Sequence, residues 1–543
     1  GTSSFVYDEA NNLISMQTQN LINEAAQINY AYSYNRLKEI HYPDHPQMDV
    51  YYEYGDHNAG NDAGRITKQQ DASGTQTFSY GKLGELTKNI HTFVVPGGVT
   101  YTFGMNWTYD SWNRLLNITY PDGEVVNYGY NLGGQLYSVS GTKTTRTYAY
   151  INFVNYDKYG NRTGMEYGNG TLTKYTYNPT TLRLSNLKSY NSQNEQMQNI
   201  NYTYDNASNI TQISNTAPAM ANGLGGNSVY NYRYDNLYRL DSANGSWDRN
   251  TFSLAMQYSA SGNITQKTQY AETSINGTPV TINYNRAYNY TTTQPHAVQQ
   301  INNNDLTFNW DANGNMTFYQ DNGKIPLKRY QCWDEENRLI SVFDDKASLS
   351  NYLYDAAGDR VWKLGGQVQQ MLINGEQYVD FADMSTSKTL YTNPYMVVND
   401  KEYTKHYYIE GQRIASKIGA GLSPVIVPLS EEVKTITLDE YGFVSDRLLK
   451  MCKDADDCVG FYSEYTSYGH DFKCIKPLMD LDNKENDLYF YHSDHIGSSS
   501  FITDNTGYAS QHLQYLPFGE LFVEQRSTAN YYTPYKFSGK EKD

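Results

Sequence analysis

The chain has 543 residues, of which 55 are tyrosines and 18% are charged, and its formal net charge is −16. A chain of this length exceeds what one compact core supports, so several domains or a repeat architecture are expected. Its many aromatic residues exclude a disordered chain, and its acidic balance without Lys/Arg-rich runs excludes nucleic acid as the main partner. No apolar stretch is long enough for a transmembrane helix. Since Gly1 is preceded by neither an initiator methionine nor a signal-like segment, we expect a fragment or a processed product.

A seven-residue pattern recurs along the first two thirds of the chain. It consists of an aromatic residue, Asp or another turn former, two variable positions, Gly or Asn, a polar residue and an aliphatic residue. The copies are Tyr7–Leu13, Tyr80–Leu86, Tyr109–Leu115, Tyr130–Leu136, Tyr204–Ile210, Tyr234–Leu240, Tyr258–Ile264, Trp310–Met316, Trp333–Leu339 and Tyr354–Arg360, with imperfect copies near Ser33–Leu37, Tyr156–Arg162 and Tyr177–Leu184. Self-similarity at a short, regular spacing is typical of repeat proteins.

Each position of the pattern has a structural explanation. Residues before the Asp, such as Ile200 to Tyr204, alternate with a period of two, as a strand with two distinct faces does. An Asp at the start of a tight turn accepts backbone N–H groups one turn further on. We therefore interpret these aspartates as structural rather than catalytic: Asp8, Asp110, Asp157, Asp205, Asp235, Asp311, Asp334 and Asp355.

Gly or Asn at the fourth position of the turn suits a positive φ or a β-bulge. Ser208 and Tyr238 depart from this preference in two copies. Each repeat is thus predicted to be a β-hairpin, and hairpins need edge-to-edge pairing to bury a face. The prediction for residues 1–385 is a long twisted sheet. The pattern leaves open whether this sheet forms a solenoid, a barrel or a hollow shell.

Residues 386–487 interrupt the pattern. Tyr408–Gly419 looks like a pair of strands, and the stretch that follows, from Leu422 to Cys458, is predicted to be an insertion with a short helix around Ser445–Cys452. We expect one local disulfide among Cys452, Cys458 and Cys474. A zinc site is the weaker alternative, because no CxxC pair is present and His470 is the one nearby histidine.

The C-terminal region contains two arrangements that can suggest chemistry. His492 and His495 flank Asp494, but two histidines three apart on a strand or turn do not converge on a metal as they do on a helix. Ser498 with His495 and Asp494 lacks the GxSxG context of a hydrolase nucleophile. Hydrogen bonding and packing are the favoured interpretation of both, and neither a metal nor a cofactor is predicted.

Clusters of tyrosines have two interpretations. Tyr148 with Tyr150, or Tyr284 with Tyr288 and Tyr290, are able to stack on sugar rings. Cross-strand aromatic pairing is the favoured interpretation, because tyrosines are spread along the whole chain.

Two parts of the sequence resemble a known family. The repeat is similar to the YD repeat of rearrangement-hotspot (Rhs) proteins, which include wall-associated bacterial proteins, insecticidal toxin-complex C components and teneurins. Tyr489–Glu520 and Thr533–Asp543 resemble the Rhs-associated core domain. The matching residues are His492, Asp494, His495, Gly497, Ser498, Tyr515, Pro517, Phe518, Gly519, Phe537, Gly539, Lys540 and Glu541.

The resemblance implies an all-β fold: a spiral sheet wound into a hollow cocoon, with a C-terminal core plug. It divides the chain into a repeat shell (1–385), pre-core strands with a cysteine-containing insertion (386–487) and the start of the core domain (488–543). Relatives enclose a variable C-terminal domain, often a toxin, and cleave themselves upstream of it with paired aspartates. Because the chain ends at Asp543, before that motif, no catalytic residue is carried over.

The function that this resemblance implies is a non-catalytic casing that encloses and helps to deliver a C-terminal effector in competition between bacteria. Its expected partners are the effector itself, components of a secretion system, an immunity protein or a glycan on the target cell. The expected location is secreted or on the bacterial cell surface, associated with the outer membrane. The alternative is a surface adhesin that binds carbohydrate with its exterior strands.

Overall fold

The structure is a computed structural model. It describes residues 1–42, 45–56, 60–95, 99–323, 325–346, 348–373, 376–399, 402–420, 423–426, 474–478, 487–527 and 533–541. The predicted helix around Ser445–Cys452 lies outside these residues, as do the side chains of Cys452, Cys458 and Cys474. The described residues form 40 strands that belong to one continuous sheet.

The first 23 strands form the first turn of a spiral. They are β1 (Ser4–Tyr7), β2 (Leu13–Gln17), β3 (Ile28–Ser33), β4 (Arg36–His41), β5 (Val50–Tyr54), β6 (Ile66–Asp71), β7 (Gly74–Tyr80), β8 (Leu86–Val95), β9 (Val99–Tyr109), β10 (Leu115–Thr119), β11 (Val125–Tyr130), β12 (Leu136–Lys143), β13 (Arg146–Tyr156), β14 (Arg162–Tyr167), β15 (Leu172–Tyr177), β16 (Leu184–Tyr190), β17 (Gln196–Tyr204), β18 (Ile210–Asn215), β19 (Ser228–Tyr234), β20 (Leu240–Trp247), β21 (Asn250–Tyr258), β22 (Ile264–Ile275) and β23 (Thr278–Tyr290). A short helix, α1 (Gln19–Asn23), connects β2 to β3.

The remaining strands continue the spiral. They are β24 (Val298–Ile301), β25 (Leu306–Trp310), β26 (Met316–Asp321), β27 (Leu327–Trp333), β28 (Leu339–Asp344), β29 (Ser348–Tyr354), β30 (Arg360–Ile373), β31 (Glu376–Asn393), β32 (Met396–Asn399), β33 (Glu402–Ile409), β34 (Gln412–Ala420), β35 (Ser423–Ile426), β36 (Cys474–Leu478), β37 (Asp487–Ser493), β38 (Ser499–Thr503), β39 (Ala509–Tyr515) and β40 (Leu521–Arg526). Single 3₁₀ turns occur at Pro46–Met48, Gly60–Asp62 and Phe537–Gly539. Since β31 crosses residue 385, the division into three regions stays a prediction.

The strands pair with their neighbours in sequence, and their side chains alternate as predicted. In β21, Phe252, Leu254 and Met256 are buried and the residues between them are exposed. Nearly all pairings are antiparallel. The exceptions are the parallel contacts of β22 with β40 and of β36 with β9, which join segments far apart in the sequence.

The spiral returns to its start after about 290 residues. Asn20 Nδ2 donates to Asp311 Oδ2 over 2.8 Å, and the Tyr42 hydroxyl donates to Glu336 Oε1 over 2.7 Å. We call the edge of the sheet that carries the Asp turns the Asp-turn edge. The turns at Asp311 and Glu336 belong to it, whereas Asn20 and Tyr42 lie on the opposite edge. The second turn of the spiral therefore begins stacked on the first, edge to edge.

Further along, the sheet moves to the inside of its own first turn. We call strands β33, β34 and β37 to β40 the inner layer. The Tyr167 hydroxyl on β14 donates to the Tyr491 carbonyl over 3.0 Å, and Phe522 packs on Phe252 at 5.3 Å between ring centroids. Nearly every residue of β37 and β39 is buried, so these strands are covered on both faces. The inner layer fills one part of the shell as a plug.

The hydrophobic cores lie where the second turn meets the first. One core joins residues 21–103 to residues 332–403, a second joins residues 105–167 to residues 407–490, and a third joins residues 230–271 to residues 516–523. Among the described residues, no helix has the length and apolar character needed to cross a membrane.

Candidate functional site

The Asp turn has the same geometry in every complete repeat. In the repeat at Asp110, the Asn113 N–H donates to the Asp110 carbonyl, and the Asp110 N–H donates to the Arg114 carbonyl, each over 3.0 Å. The pairing of the flanking strands shifts at the aromatic residue, as in Gly129/Tyr130. This combination is a tight turn followed by a β-bulge, a common three-residue hairpin connection.

The aspartate side chain completes the turn. One carboxylate oxygen of Asp110 accepts the N–H groups of Trp112 and Arg114 over 2.9 Å each, and the other accepts from Arg114 Nε over 2.7 Å. A hydrogen bond from the N–H four residues on is present in all eight predicted turns, at Asp8, Asp110, Asp157, Asp205, Asp235, Asp311, Asp334 and Asp355. Each of these carboxylates is thus engaged within its own turn, as the structural interpretation predicts, and this interpretation stays a prediction.

The pKa of a turn aspartate differs between the exposed part of the Asp-turn edge and the part that is covered. On the exposed first-turn edge, hydrogen bonds from the backbone of Arg114 and Arg239 hold the pKa of Asp110 and Asp235 below the ordinary value. Where the Asp-turn edge of the second spiral turn lies against the first, burial raises the pKa of Asp334, and it raises the pKa of Asp355 to about 6. The two groups differ because burial disfavours the charged carboxylate.

The aromatic residue that opens each repeat links it to the previous repeat. The Tyr130 hydroxyl donates to the carbonyl of Leu115, the last residue of the previous copy, over 2.9 Å. The same bond joins Tyr204 to Leu184, Tyr234 to Ile210, Tyr258 to Leu240, Tyr290 to Ile264 and Tyr354 to Leu339. Trp310 and Trp333 make it with Nε1, to Val298 and Met316. In all these copies the aromatic ring carries the donor that links one repeat to the previous one.

An arginine at the sixth position strengthens this link. Arg114 lies with its guanidinium carbon 4.5 Å from the centre of the Tyr130 ring, and Arg239 lies 4.4 Å from that of Tyr258. Each arginine also pairs with the aspartate of its own turn over 2.6 Å. Because a cation over an aromatic face is attracted by the ring, the arginine ties two consecutive repeats together.

The first segment of the core motif contains the same turn. Asp494 Oδ1 accepts the N–H groups of Ile496 and Ser498, and Gly497 has a φ of 81° at the position that Asn113 occupies in its turn. The core motif therefore continues the repeat pattern. The sequence did not show this relation, because Ser493 stands where the repeat has an aromatic residue, directly before Asp494.

The three segments of the core motif lie together. The Phe537 ring packs on Tyr515 at 5.6 Å between centroids and lies against Gly519, where a Cβ would come within 2.8 Å of it. The turn that holds Gly519 has Pro517 and Phe518 at its tip. The Gly539 carbonyl accepts from Arg413 over 3.3 Å, and Glu541 accepts from the Tyr391 hydroxyl over 2.9 Å.

The two histidines of the motif do not converge. His492 Nε2 lies 3.0 Å from Thr503 Oγ1, and burial lowers the pKa of His492 to about 3. His495 instead packs against the Tyr202 ring, 4.9 Å between centroids. Ser498 Oγ accepts the Ser538 N–H over 3.0 Å. The described residues contain no group of three or more His, Cys, Asp or Glu side chains placed to hold a metal.

The predicted tyrosine clusters are engaged in packing. Tyr150 is fully buried and stacks on Tyr407 at 3.8 Å between centroids, and Tyr148 has the Lys417 ammonium 3.4 Å from its ring centre. The Tyr290 hydroxyl makes the link between repeats. Tyr150 therefore has no face open to a sugar.

A buried ion cluster joins the wall to the inner layer, and the sequence analysis missed it. Lys405 on β33 contacts Asp122 over 2.5 Å and also Glu124, while Lys417 on β34 contacts Glu124 over 2.9 Å. Lys143 reaches Asp122 over 3.0 Å. These side chains are at most 5% exposed. A Pro-Asp-Gly turn at residues 121–123 was visible in the sequence, but its partners lie about 280 residues away.

Comparison with known proteins shows which fold this is. No family model matches the chain. Toxin subunit YenC1 of Yersinia entomophaga is 31% identical over 131 residues, which are 23% of this chain and 13% of that protein. The crystal structure of TcdB2-TccC3-TEV aligns with 100% of this chain and 25% of its own, at 16% identity and a TM-score of 0.67.

A second solved structure agrees with the first. The Photorhabdus luminescens Tc holotoxin pore aligns with 100% of this chain and 24% of its own chain, at 15% identity and a TM-score of 0.63. The chain thus spans about a quarter of the solved chains and a smaller share of the curated relative. It has the spiral β-shell fold seen in these toxin-complex structures.

Proposed function

We propose that this chain is a non-catalytic shell that encloses a C-terminal toxin or effector and helps to deliver it in competition between bacteria. The proposal includes membership of the YD-repeat family, self-cleavage of the full-length protein beyond Asp543 and a location outside the cell or on its surface. An immunity protein and components of a secretion system are its proposed further partners.

One observation carries the proposal: a single sheet winds back on itself and holds its own C-terminal strands inside. The inner layer is joined to the wall by hydrogen bonds, by buried aromatic contacts and by the ion cluster around Lys405. A closed wall keeps macromolecules away from whatever it encloses. The fold shared with the Photorhabdus luminescens Tc holotoxin pore supports the same conclusion, since that assembly is a toxin by its name.

The proposal is tested with a reporter attached to either end of the chain. An unfolded peptide rich in trypsin sites is fused after Asp543 in one version and before Gly1 in a matched version. We expect the C-terminal reporter to resist trypsin and the N-terminal reporter to be digested rapidly. Adding urea to open the shell abolishes the difference. Equal digestion of the two reporters in the native proteins contradicts enclosure.

A surface adhesin is the second candidate, and one observation favours it. Large apolar side chains are exposed at the tips of turns along one edge of the wall, at Leu83, Trp112, Leu132, Tyr159, Leu237 and Tyr238. Exposed apolar patches often mark interaction sites. Binding of immobilised glycans that is lost in Trp112→Ala and Tyr159→Ala supports this candidate, and no binding to any glycan removes it.

A further inference from the structure

A cavity lies between the wall and the inner layer beside the core motif. Its volume is about 290 Å³, and β17 to β20 form one side of it while the segments around Asp494 and Tyr515 form the other. The lining is mostly aliphatic and aromatic, with a few polar groups. Ligand pockets span roughly 300–1,000 Å³, so this volume suits a small ligand.

Asp494 brings a carboxylate to the wall of this cavity without a permanent cation beside it. Among the described residues that line the cavity, none is a Lys or an Arg. Burial raises the pKa of Asp494 and lowers the pKa of its neighbour His495. Asp494 is half-buried, and a bound cation would supply the permanent counter-charge that partly desolvated carboxylates in proteins normally have.

The other turns of the repeat show what is different at Asp494. In several of them the second carboxylate oxygen accepts from the side chain four residues on, as from Arg114, Arg239 and Asn209. The equivalent residue here is Ser498, whose short side chain also accepts the Ser538 N–H. Ser498 also bonds to Asp494 through its side chain, but this side chain is much shorter than an arginine, and Asp494 lines the cavity.

Tyrosine rings surround this carboxylate. Tyr202, Tyr232 and Tyr515 line the same cavity as Asp494. Burial raises the pKa of all three tyrosines, and the negative charge of Asp494 adds to the effect. Tyr202 is 6% exposed, and its hydroxyl has no acceptor for its proton among the described residues. Aromatic rings around a carboxylate form the kind of site that binds an organic ammonium group.

On the far side, Asp494 borders a second cavity that contains two arginines. Arg162 donates to Gln412 over 2.9 Å and lies 3.5 Å from Glu410, while Arg413 donates to Tyr408 and Gly539. Both guanidinium groups thus have their own partners. They do not replace a cation in the tyrosine-lined cavity.

We propose that this cavity binds a small organic cation, an ammonium group on an apolar or aromatic body, with Asp494 as its counter-ion and the tyrosines around its apolar part. Such a ligand would contact β18, β19 and the inner layer at once. It would therefore stabilise the contact between the inner layer and the wall. The inference does not depend on what the shell encloses, and the reporter experiment fails or succeeds independently of it.

The test compares two probes of nearly equal shape, 2-phenylethylammonium and the neutral 2-phenylethanol, by isothermal titration calorimetry on the intact chain. We expect the cation to bind about 10-fold more tightly than the alcohol, since a desolvated charge and an aromatic contact act only on the cation. Equal affinities for the two probes, or binding of neither, overturn the proposal.

Two variants locate the binding. Asp494→Asn removes the charge but keeps the turn, because Asn131 accepts the Gln135 N–H over 3.0 Å in the equivalent position. We expect this variant to lose its preference for the cation, while Asp110→Asn on the exposed edge leaves it unchanged. Ser500→Phe fills the cavity without altering its charge and is expected to abolish binding. A preference that persists in Asp494→Asn, or unchanged affinity in folded Ser500→Phe, overturns the proposal.

Discussion

Each Asp turn places one residue in the left-handed region of the backbone, three positions after the aspartate. Gly and Asn occupy this position in most repeats, yet Ser208 and Tyr238 also adopt positive φ values there, of 79° and 60°. The hydrogen bonds of the turn thus impose the conformation even on residues that disfavour it, which costs roughly 1–2 kcal/mol for a residue with a Cβ.

Tyr238→Gly is therefore expected to stabilise the protein. Tyr238 is 64% exposed, so few contacts are lost, and relief of the strained φ should raise the free energy of unfolding by about 0.5–1 kcal/mol. The matched control is Leu237→Gly, because Leu237 is similarly exposed but has no positive φ. Urea denaturation should show opposite changes in the two variants, and destabilisation in both contradicts the explanation.

Asp355 gives the interface between spiral turns a pH dependence with a definite sign. It faces Asp71 and Asp359, accepts from Gln76, and burial raises its pKa to about 6. Because the folded state binds this proton more tightly than the unfolded state does, Asp355 favours folding most at low pH, and this contribution disappears as pH rises from about 4 to 6. The change amounts to at most about 3 kcal/mol.

The measurement is the urea midpoint between pH 4 and pH 7 for the native protein and for Asp355→Asn. We expect the native protein to lose stability across this range relative to the variant, whose side chain cannot ionise. Asp110→Asn, on the exposed edge, serves as the control and is expected to retain the native slope. Parallel curves for the native protein and Asp355→Asn contradict the raised pKa.

Hairpins are joined to each other by more than the strand ladder. The donor on the aromatic residue and the arginine over its ring both reach the neighbouring repeat, as Tyr258 does with Leu240 and Arg239. These contacts lie at one edge of the sheet and recur with every hairpin. They hold consecutive hairpins at a similar relative orientation, and this lets a sheet of single hairpins form a regular wall.

Tyr258→Phe tests this link. Loss of the hydroxyl leaves the Leu240 carbonyl without its donor and should lower the free energy of unfolding by about 1 kcal/mol. Tyr270→Phe is the control, because the Tyr270 hydroxyl donates to the exposed side chain of Glu272 on its own strand and not to a neighbouring repeat. Tyr258→Trp should recover part of the loss because indole also carries a donor. Equal effects of the Phe changes at 258 and 270 contradict the proposed role.

At the scale of the whole molecule, a cluster of buried charges joins the wall to the inner layer. Each of these charges would be costly to bury without its partners. Lys405 is fully buried, and its partners Asp122 and Glu124 belong to the wall. Coulombic attraction to Lys405 and Lys417 offsets the burial of Glu124 and keeps its pKa below the ordinary value. Removing one member of such a cluster leaves an uncompensated charge in the interior.

Lys405→Met should therefore lower the free energy of unfolding by about 3–5 kcal/mol, because two buried carboxylates lose a cation. Lys68→Met is the matched control: the pair of Lys68 with Glu53 is exposed, and its loss should cost at most about 1 kcal/mol. Urea denaturation measures both. We also expect the C-terminal reporter to become sensitive to trypsin in Lys405→Met alone. A small effect of Lys405→Met shows that the cluster does not hold the inner layer.

The local sequence was sufficient for the hairpins and for the all-β class. The aspartate, the left-handed residue and the alternating strand residues act within a few positions of each other, so a pattern of seven residues predicts them. The same locality explains why the aspartates were interpreted as structural: in each turn at least one carboxylate oxygen accepts from the N–H four residues on. The repeat nature of Asp494 was missed only because its aromatic partner is absent.

Only the tertiary structure decided how the sheet closes. Adjacent strands rotate by roughly 20–25°, and the rotation accumulated over some two dozen strands determines whether the sheet stays open, closes or winds inward. No single repeat encodes that sum. The contacts that follow from it, such as Tyr42 with Glu336 or Lys405 with Asp122, join residues 294 and 283 positions apart. A contact between two turns of the spiral leaves no local sequence pattern. Each of its residues is also typical of an exposed position, and only the closed wall brings the two together.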